Sequence, residues 1–178
     1  MTQKNESPMW SEQSLTNDLL RAILADCTDC EAEYQIATAA LSAVLTRQQR
    51  KMLAEAEQLC LENLRYALRF GFVRGVLVGM TQTPEEQASD YFFENAAVIP
   101  FCSDPKTDAH NAYYQRMQTA QTHFQALQNQ LGTVFQLTLD AIPCTWDFRL
   151  QHVLERIFAL GLHTAHSIPT RPKLPQKK

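Results

Sequence analysis

Phe70-Gly71-Phe72-Val73-Arg74-Gly75-Val76-Leu77-Val78-Gly79-Met80 closes the longest helical pattern in the chain, and its glycines decide the kind of fold to expect. Glycine inside a helix costs about 0.8–1 kcal/mol relative to alanine. Gly71, Gly75 and Gly79 stand at i, i+4 and i+8, so all three share one helix face. A face without side chains admits a second backbone at close range. The strip therefore predicts close helix–helix packing. The glycines continue an apolar helical pattern and follow no strand, so they are not a phosphate-binding loop.

Upstream, Lys51, Glu55, Gln58, Glu62, Arg65 and Arg69 step by four and three, a solvated stripe on a helix from about Arg47 to Met80. That face continues as Phe72 and Val76. The last three turns are apolar nearly all round apart from Arg74, which predicts a helix end buried on all sides, in this domain or in an oligomer. Before it, Leu15, Leu19, Leu20 and Ile23 make a short apolar stripe, and Thr28 with Glu31 has the capping-box spacing for a helix bearing Tyr34, Ala37, Leu41 and Val44. Thr46 with Gln49 repeats that pattern.

Downstream, Thr83-Pro84-Glu85-Glu86 predicts a helix start, with an end near Glu94. The segment 100–106 reads as a loop between halves. Tyr113, Met117, Ala120, Phe124, Leu127, Leu131 and Val134 then alternate by four and three, the repeat of a near-parallel helix crossing. Pro143 is expected to break this run. Thr145 is expected to cap a last helix with Trp146, Leu150, Val153, Leu154, Ile157 and Leu160 inward. A shift of 80 residues superimposes Tyr34-Gln35 on Tyr114-Gln115, Arg69 on Arg149 and Val73 on Val153, which suggests a weak internal duplication.

The fold class this predicts is all-α, about six helices in an antiparallel bundle or two packed helical hairpins. The expected organisation is a disordered N-terminus over 1–14, a single helical domain over 15–166 with halves 15–99 and 106–166, and a disordered tail over 167–178. The tail carries Arg171, Lys173, Lys177 and Lys178 among three prolines.

Composition narrows function by exclusion. The chain has 178 residues, 45% hydrophobic and 20% charged, with net charge -3, which fits one domain with a real core and no nucleic-acid partner. The most apolar window, Tyr66 to Met80, holds two arginines and is shorter than the ~20 apolar residues of a membrane span. No secretory signal is visible and the five cysteines are odd in number, so the cytoplasm is the expected compartment.

Residues 45–80 resemble an uncharacterised family of small helical proteins from gut Firmicutes and their mobile elements. The shared pattern is Leu-Thr/Ser-x-x-Gln/Glu, a charged amphipathic helix, then Phe-x-x-Gly-Phe-x-x-Gly. Here it reads Leu45-Thr46-Arg47-Gln48-Gln49 and Gly71-Phe72-Val73-Arg74-Gly75, with Arg69 in the looser first part. The resemblance implies a bacterial source and helical hairpins. It brings no activity, cofactor or catalytic residues.

The chemistry-bearing residues have structural explanations. Cys27-Thr28-Asp29-Cys30 is a Cys-x-x-Cys at a helix start, but no βαβ unit surrounds it for redox work. A zinc site needs two more ligands; His163 and His166 are the candidates, and the expectation is no metal and no cofactor. His152-Val153-Leu154-Glu155 reverses the Glu-x-x-His order of di-iron bundles. Asp29, Glu31, Glu33, Glu85 and Glu86 lie at helix starts, where acids favour the dipole. Cys60, Cys102 and Cys144 read as ordinary small residues, and His110 and His123 as residues of a wet helix face. Tyr91, Phe92, Phe93 and Phe101 form an apolar patch that packs on the core or meets a partner. No nucleophilic elbow occurs. The expected function is therefore non-enzymatic, through protein–protein contacts, as a homodimer. The alternative is a metal- or small-molecule-binding helical bundle using Cys27, Cys30 and the late histidines.

Overall fold

The computed structural model describes residues 12–103 and 107–168, and among them there is no strand. The fold is all-α. The helices are α1 (Glu12–Leu24), α2 (Thr28–Val44), α3 (Arg47–Thr81), α4 (Pro84–Gln87), α5 (Ile99–Ser103), α6 (Asp108–Leu131) and α7 (Gln136–Ser167). A π-helical turn, Glu94–Val98, runs into α5, and a 3-10 turn, Thr133–Phe135, into α7. The described residues divide into two compact units. The first takes those up to Leu68 and from 107 to Val153; the second takes 69–103 and those from Leu154 onward. Both α3 and α7 contribute to each unit, so neither unit coincides with the halves 15–99 and 106–166.

In the first unit two helical hairpins pack together. The α2–α3 hairpin turns at Leu45 and Thr46, where the expected capping box forms: the Gln49 N–H donates to Thr46 Oγ1 at 3.3 Å and the Thr46 N–H to Gln49 Oε1 at 2.9 Å. The α6–α7 hairpin turns at Gly132, whose φ of 73° lies in the left-handed region. Arg116 Nε donates to Asn63 Oδ1 at 2.8 Å, and Gln49 Nε2 to Gln130 Oε1 at 3.2 Å, so α3 and α6 run antiparallel. Leu41, Ala56, Leu127, Leu139 and Ile142 fill the core between the hairpins. Arg65 leaves the solvated stripe and is held by Asn17 of α1 at 2.9 Å.

In the second unit α3 and α7 run parallel and meet at the glycine strip. A Cβ on Gly75 would lie 3.1 Å from Gly161 Cα and collide with the Phe158 carbonyl; one on Gly161 would lie 3.0 Å from Gly75 Cα and collide with the Phe72 carbonyl. The contact is reciprocal, Phe72-x-x-Gly75 against Phe158-x-x-Gly161. A Cβ on Gly79 would stand 2.7 Å from Ala165 Cβ, and one on Gly71 2.6 Å from Ile157 Cγ2. Gly71, Gly75 and Gly79 are thus close-packing residues, and their partner is α7 of the same chain. Gly75 and Gly161 are 86 residues apart, and the same spacing pairs Leu53 with Leu139 and Leu64 with Leu150. The structural correspondence therefore runs at 86 rather than 80. At 80, exposed Arg69 would answer to buried Arg149.

Several local expectations are corrected. Pro143 does not break the chain: α7 runs through it, and the break falls at Gly132. A mid-helix proline costs about 3 kcal/mol. Leu139 and Ile142, in the turn before it, are wholly buried, and each contributes about 1.5–3 kcal/mol, enough to hold the helix together. Thr145 bonds back to the Ala141 carbonyl at 2.8 Å and caps nothing. Cys27, not Thr28, occupies the N-cap of α2. The cap at Thr83 forms as expected, but α4 ends at Gln87. Residues 99–103 are helical, not loop. Pro100 has no N–H for the carbonyl four residues back, and its ring crowds that carbonyl; the preceding turn widens to a π-helix. Val134 and Leu160 are exposed. The helix starts at Glu12, inside the expected disordered segment; the rest of that expectation, 1–11, and the tail over 169–178 lie outside the described residues.

Candidate functional site

The expected metal candidates fall in different units. Cys27 is buried at the start of α2 in the first unit, and His163 and His166 are exposed on α7 in the second. The Cys30 side chain lies outside the described ones. Among the described residues no group of three or more His, Cys, Asp or Glu is placed to hold a metal ion. His152 Nε2 lies 3.2 Å from the Ile23 carbonyl oxygen. Glu31 turns from the helix start to the buried Arg149 guanidinium. That guanidinium also lies 4.3 Å from the Tyr34 ring centroid and 4.6 Å from that of Trp146. The Tyr34 hydroxyl donates to Glu57. Burial raises the Glu57 carboxyl above its usual range despite that hydrogen bond and the nearby arginine.

His110 corrects a second expectation. It is not on a wet face but 1% exposed, against the rings of Tyr66, Tyr113 and Tyr114. Its Nδ1 lies 3.3 Å from the Tyr66 hydroxyl. The aromatic patch of the second unit is largely internal. Phe92 and Phe93 pack on Phe158 with ring centroids 5.9 and 5.7 Å away, and buried Phe101 meets Phe70 at 5.2 Å. Only Tyr91 of the four stands out, 67% exposed.

A stripe of exposed apolar residues lies elsewhere on that unit, apart from exposed Ile99, Leu160 and Ile168. Val73, Leu77 and Met80 are 57%, 51% and 64% exposed, at i, i+4 and i+7 on the face of α3 turned away from the glycine strip. The expectation of burial on all sides fails for these three. The positions 86 residues on, on the outer face of α7, are Ala159, His163 and His166. Two helices thus meet through equivalent faces, yet one outer face is Val, Leu and Met while the other is small and polar. The crossing does not demand the apolar one. Sequence reading missed it because apolar residues all round a helix do not say which side is covered.

The first unit holds a cavity of about 70 Å³ between α3, α6 and α7. Its walls include Cys60, Asn63, Met117, Ala120, Phe124 and Trp146, with Asp147 also lining it. The Trp146 Nε1–H is buried and has no hydrogen-bond acceptor among the described residues. Burial, with help from the Asp147 and Glu57 charges, pushes the Cys60 thiol up to about 12, and burial raises the Asp147 carboxyl. A thiol held neutral is a wall, not a nucleophile.

No family model, curated protein or solved structure matches this chain. Among the described residues no helix is long and apolar enough to cross a membrane.

Proposed function

We propose that this chain is a non-enzymatic helical protein that acts through protein contacts, pairing with a second copy of itself through Val73, Leu77 and Met80. The observation that carries the reading is the contrast between that stripe and Ala159, His163 and His166 on the equivalent face of α7. A second copy presents the same uncharged stripe, and two such stripes cover each other about a twofold axis.

The magnitudes favour a reversible dimer. Fully burying such a side chain contributes about 1.5–3 kcal/mol, and these three are already about half covered. Six side chains across two copies then contribute roughly 5–9 kcal/mol, against about 4–15 kcal/mol for the lost freedom of association. Such an interface assembles only as concentration rises. Sedimentation velocity over a concentration series tests it. The wild type should move from monomer toward dimer, and Leu77→Lys should remain monomeric with its helical spectrum intact. A wild type that stays monomeric at every concentration, or a Leu77→Lys variant that dimerises as well as wild type, would overturn the reading.

A further inference from the structure

We propose that the end of the first unit where both hairpins turn docks on an anionic lipid surface. Val134 and Leu137 enter the headgroup layer, and Arg47, Arg50 and Lys51 meet the lipid phosphates. The self-pairing stripe belongs to the second unit, and this contact stands without it.

The hydrogen bond between Gln49 and Gln130 puts the start of α3 beside the end of α6. The end of α2 and the start of α7 join them through the two turns, so four helix ends meet here. Charge at this end has one sign. Residues 34–54 and 109–139 contain no Asp or Glu, and Arg47, Arg50 and Lys51 are all exposed. Arg116, also within these stretches, lies about four turns from the end of α6 and donates to Asn63. The next acids along the chain are Glu55 and Asp140. Asp140 accepts from Gln128, and Glu55 pairs with Lys51 at 3.5 Å. Both partners of that pair are at least half exposed, and such a pair holds Lys51 only weakly.

The cations sit where the helix disfavours them. The first turn of α3 is the positive end of its dipole, where acids are stabilising. It holds Arg47 and Arg50 and no acid. Among the described residues neither arginine has an ion-pair partner. Their charge therefore does little for the fold and is free to meet an anion outside it.

The apolar residues identify the anion. Val134 and Leu137 are 85% and 86% exposed, more than any other large apolar side chain among the described residues. One stands in the 3-10 turn and the other in the first turn of α7, and Val44 closes α2 half-exposed beside them. Phosphates of a nucleic acid would use the cations and leave these aliphatic side chains in water. A bilayer interface uses both, because apolar side chains enter the acyl boundary while long basic ones reach the phosphates. The net charge of -3 does not oppose this. Glu33, the last acid of α2, lies about 16 Å back along the helix from Val44, two Debye lengths at physiological salt.

Flotation of the full chain with vesicles tests the proposal. The wild type should float with vesicles of equal parts phosphatidylglycerol and phosphatidylcholine, not with phosphatidylcholine alone, and high salt should release it. Each basic residue at an anionic surface is worth about fivefold in partitioning, so Arg47→Gln with Arg50→Gln should weaken binding roughly 25-fold. Leu137→Ser should weaken it about tenfold. These positions are exposed, so both variants should keep the wild-type helical spectrum, and the double arginine variant should melt no lower than wild type. A wild type that ignores the anionic vesicles, or floats equally with both kinds, overturns the proposal. So does binding that survives in Leu137→Ser and the double variant, which would place it in the basic tail. Affinity for a single-stranded RNA that needs the two arginines but not Leu137, with Leu137→Ser still floating as wild type does, would assign this end to nucleic acid and overturn it too. A lowered melting temperature in the double arginine variant would assign the cations to the fold.

Discussion

Arg74 donates through Nε to the carbonyl oxygen of Ala96 at 2.7 Å. Ala96 lies four residues before Pro100, so its carbonyl is the one that proline leaves without the usual helical donor. The single cation in the apolar end of α3 thus completes a helix in another segment of the second unit. Ala96 is buried, and an unsatisfied buried carbonyl costs about 1–3 kcal/mol.

Arg74→Met should therefore destabilise the protein by about 1–3 kcal/mol in urea denaturation. Pro100→Ala restores a backbone N–H near that carbonyl, so Arg74→Met should cost clearly less in that background. Equal costs in both backgrounds would show that Arg74 acts through something other than the gap at Pro100.

Gly75→Ala and Gly161→Ala should each lower the melting temperature. Propensity favours alanine by about 0.8–1 kcal/mol. The new methyl of Gly75→Ala, however, meets the Phe158 carbonyl and the Gly161 backbone, which cannot swing aside as a side chain can. Overpacking of this kind costs about 1–3 kcal/mol and wins. The obstruction lies within the chain, so the loss should not change on dilution. A rise in melting temperature for either variant would remove the close-packing account.

Stability should pass through a maximum in mild acid. Burial raises the Glu57 and Asp147 carboxyls above their unfolded values, so the folded state takes up their protons first and gains stability as pH falls toward 4.5 for Glu57 and 3.8 for Asp147. Glu31 behaves oppositely. Burial pushes it up, but hydrogen bonds from Gln35 and Arg149 and the Arg149 charge outweigh that and hold it below 4.5. Its contribution is present above 4.5 and is lost as pH falls through its lowered value. Urea midpoints across pH should show the rise shrink in Glu57→Gln and the acid-side fall shrink in Glu31→Gln. A monotonic decline from neutral pH in the wild type would contradict the assignment.

Thiol labelling should sort the cysteines by surroundings. In a Cys30→Ser background, Cys102 and Cys144, both exposed, should react first with a disulfide reagent. Cys60, raised from 9.0 to about 12, holds roughly a thousandfold less thiolate near neutral pH and should react only as the protein opens. Fast labelling of Cys60 in the folded protein would count against the buried wall described for the cavity.

The helical class, the capping signals at Thr46 and Thr83 and the purpose of the glycine strip were legible because each rests on local spacing. The two prolines were misread for one reason. Pro100 and Pro143 are breakers by propensity, and their helices persist because of distant events: a guanidinium from another segment at the first, and burial of Leu139 and Ile142 at the second. His110 was misread because its neighbours in sequence are polar while its neighbours in space are three tyrosines. The cavity left no sequence signal, since it exists only where three helices meet. The spacing of 86 was available in Phe72-x-x-Gly75 and Phe158-x-x-Gly161, but no local rule singles out that shift.

The reciprocal crossing of Gly75 and Gly161 has a consequence on the ribosome. Gly161 is made 86 residues after Gly75, which at about 5–20 residues per second is a delay of roughly 4–17 s. During that interval the apolar end of α3 has been synthesised while the backbone it fits does not yet exist. Nascent chains stalled between these two points should therefore hold chaperones that chains released beyond residue 165 have already shed.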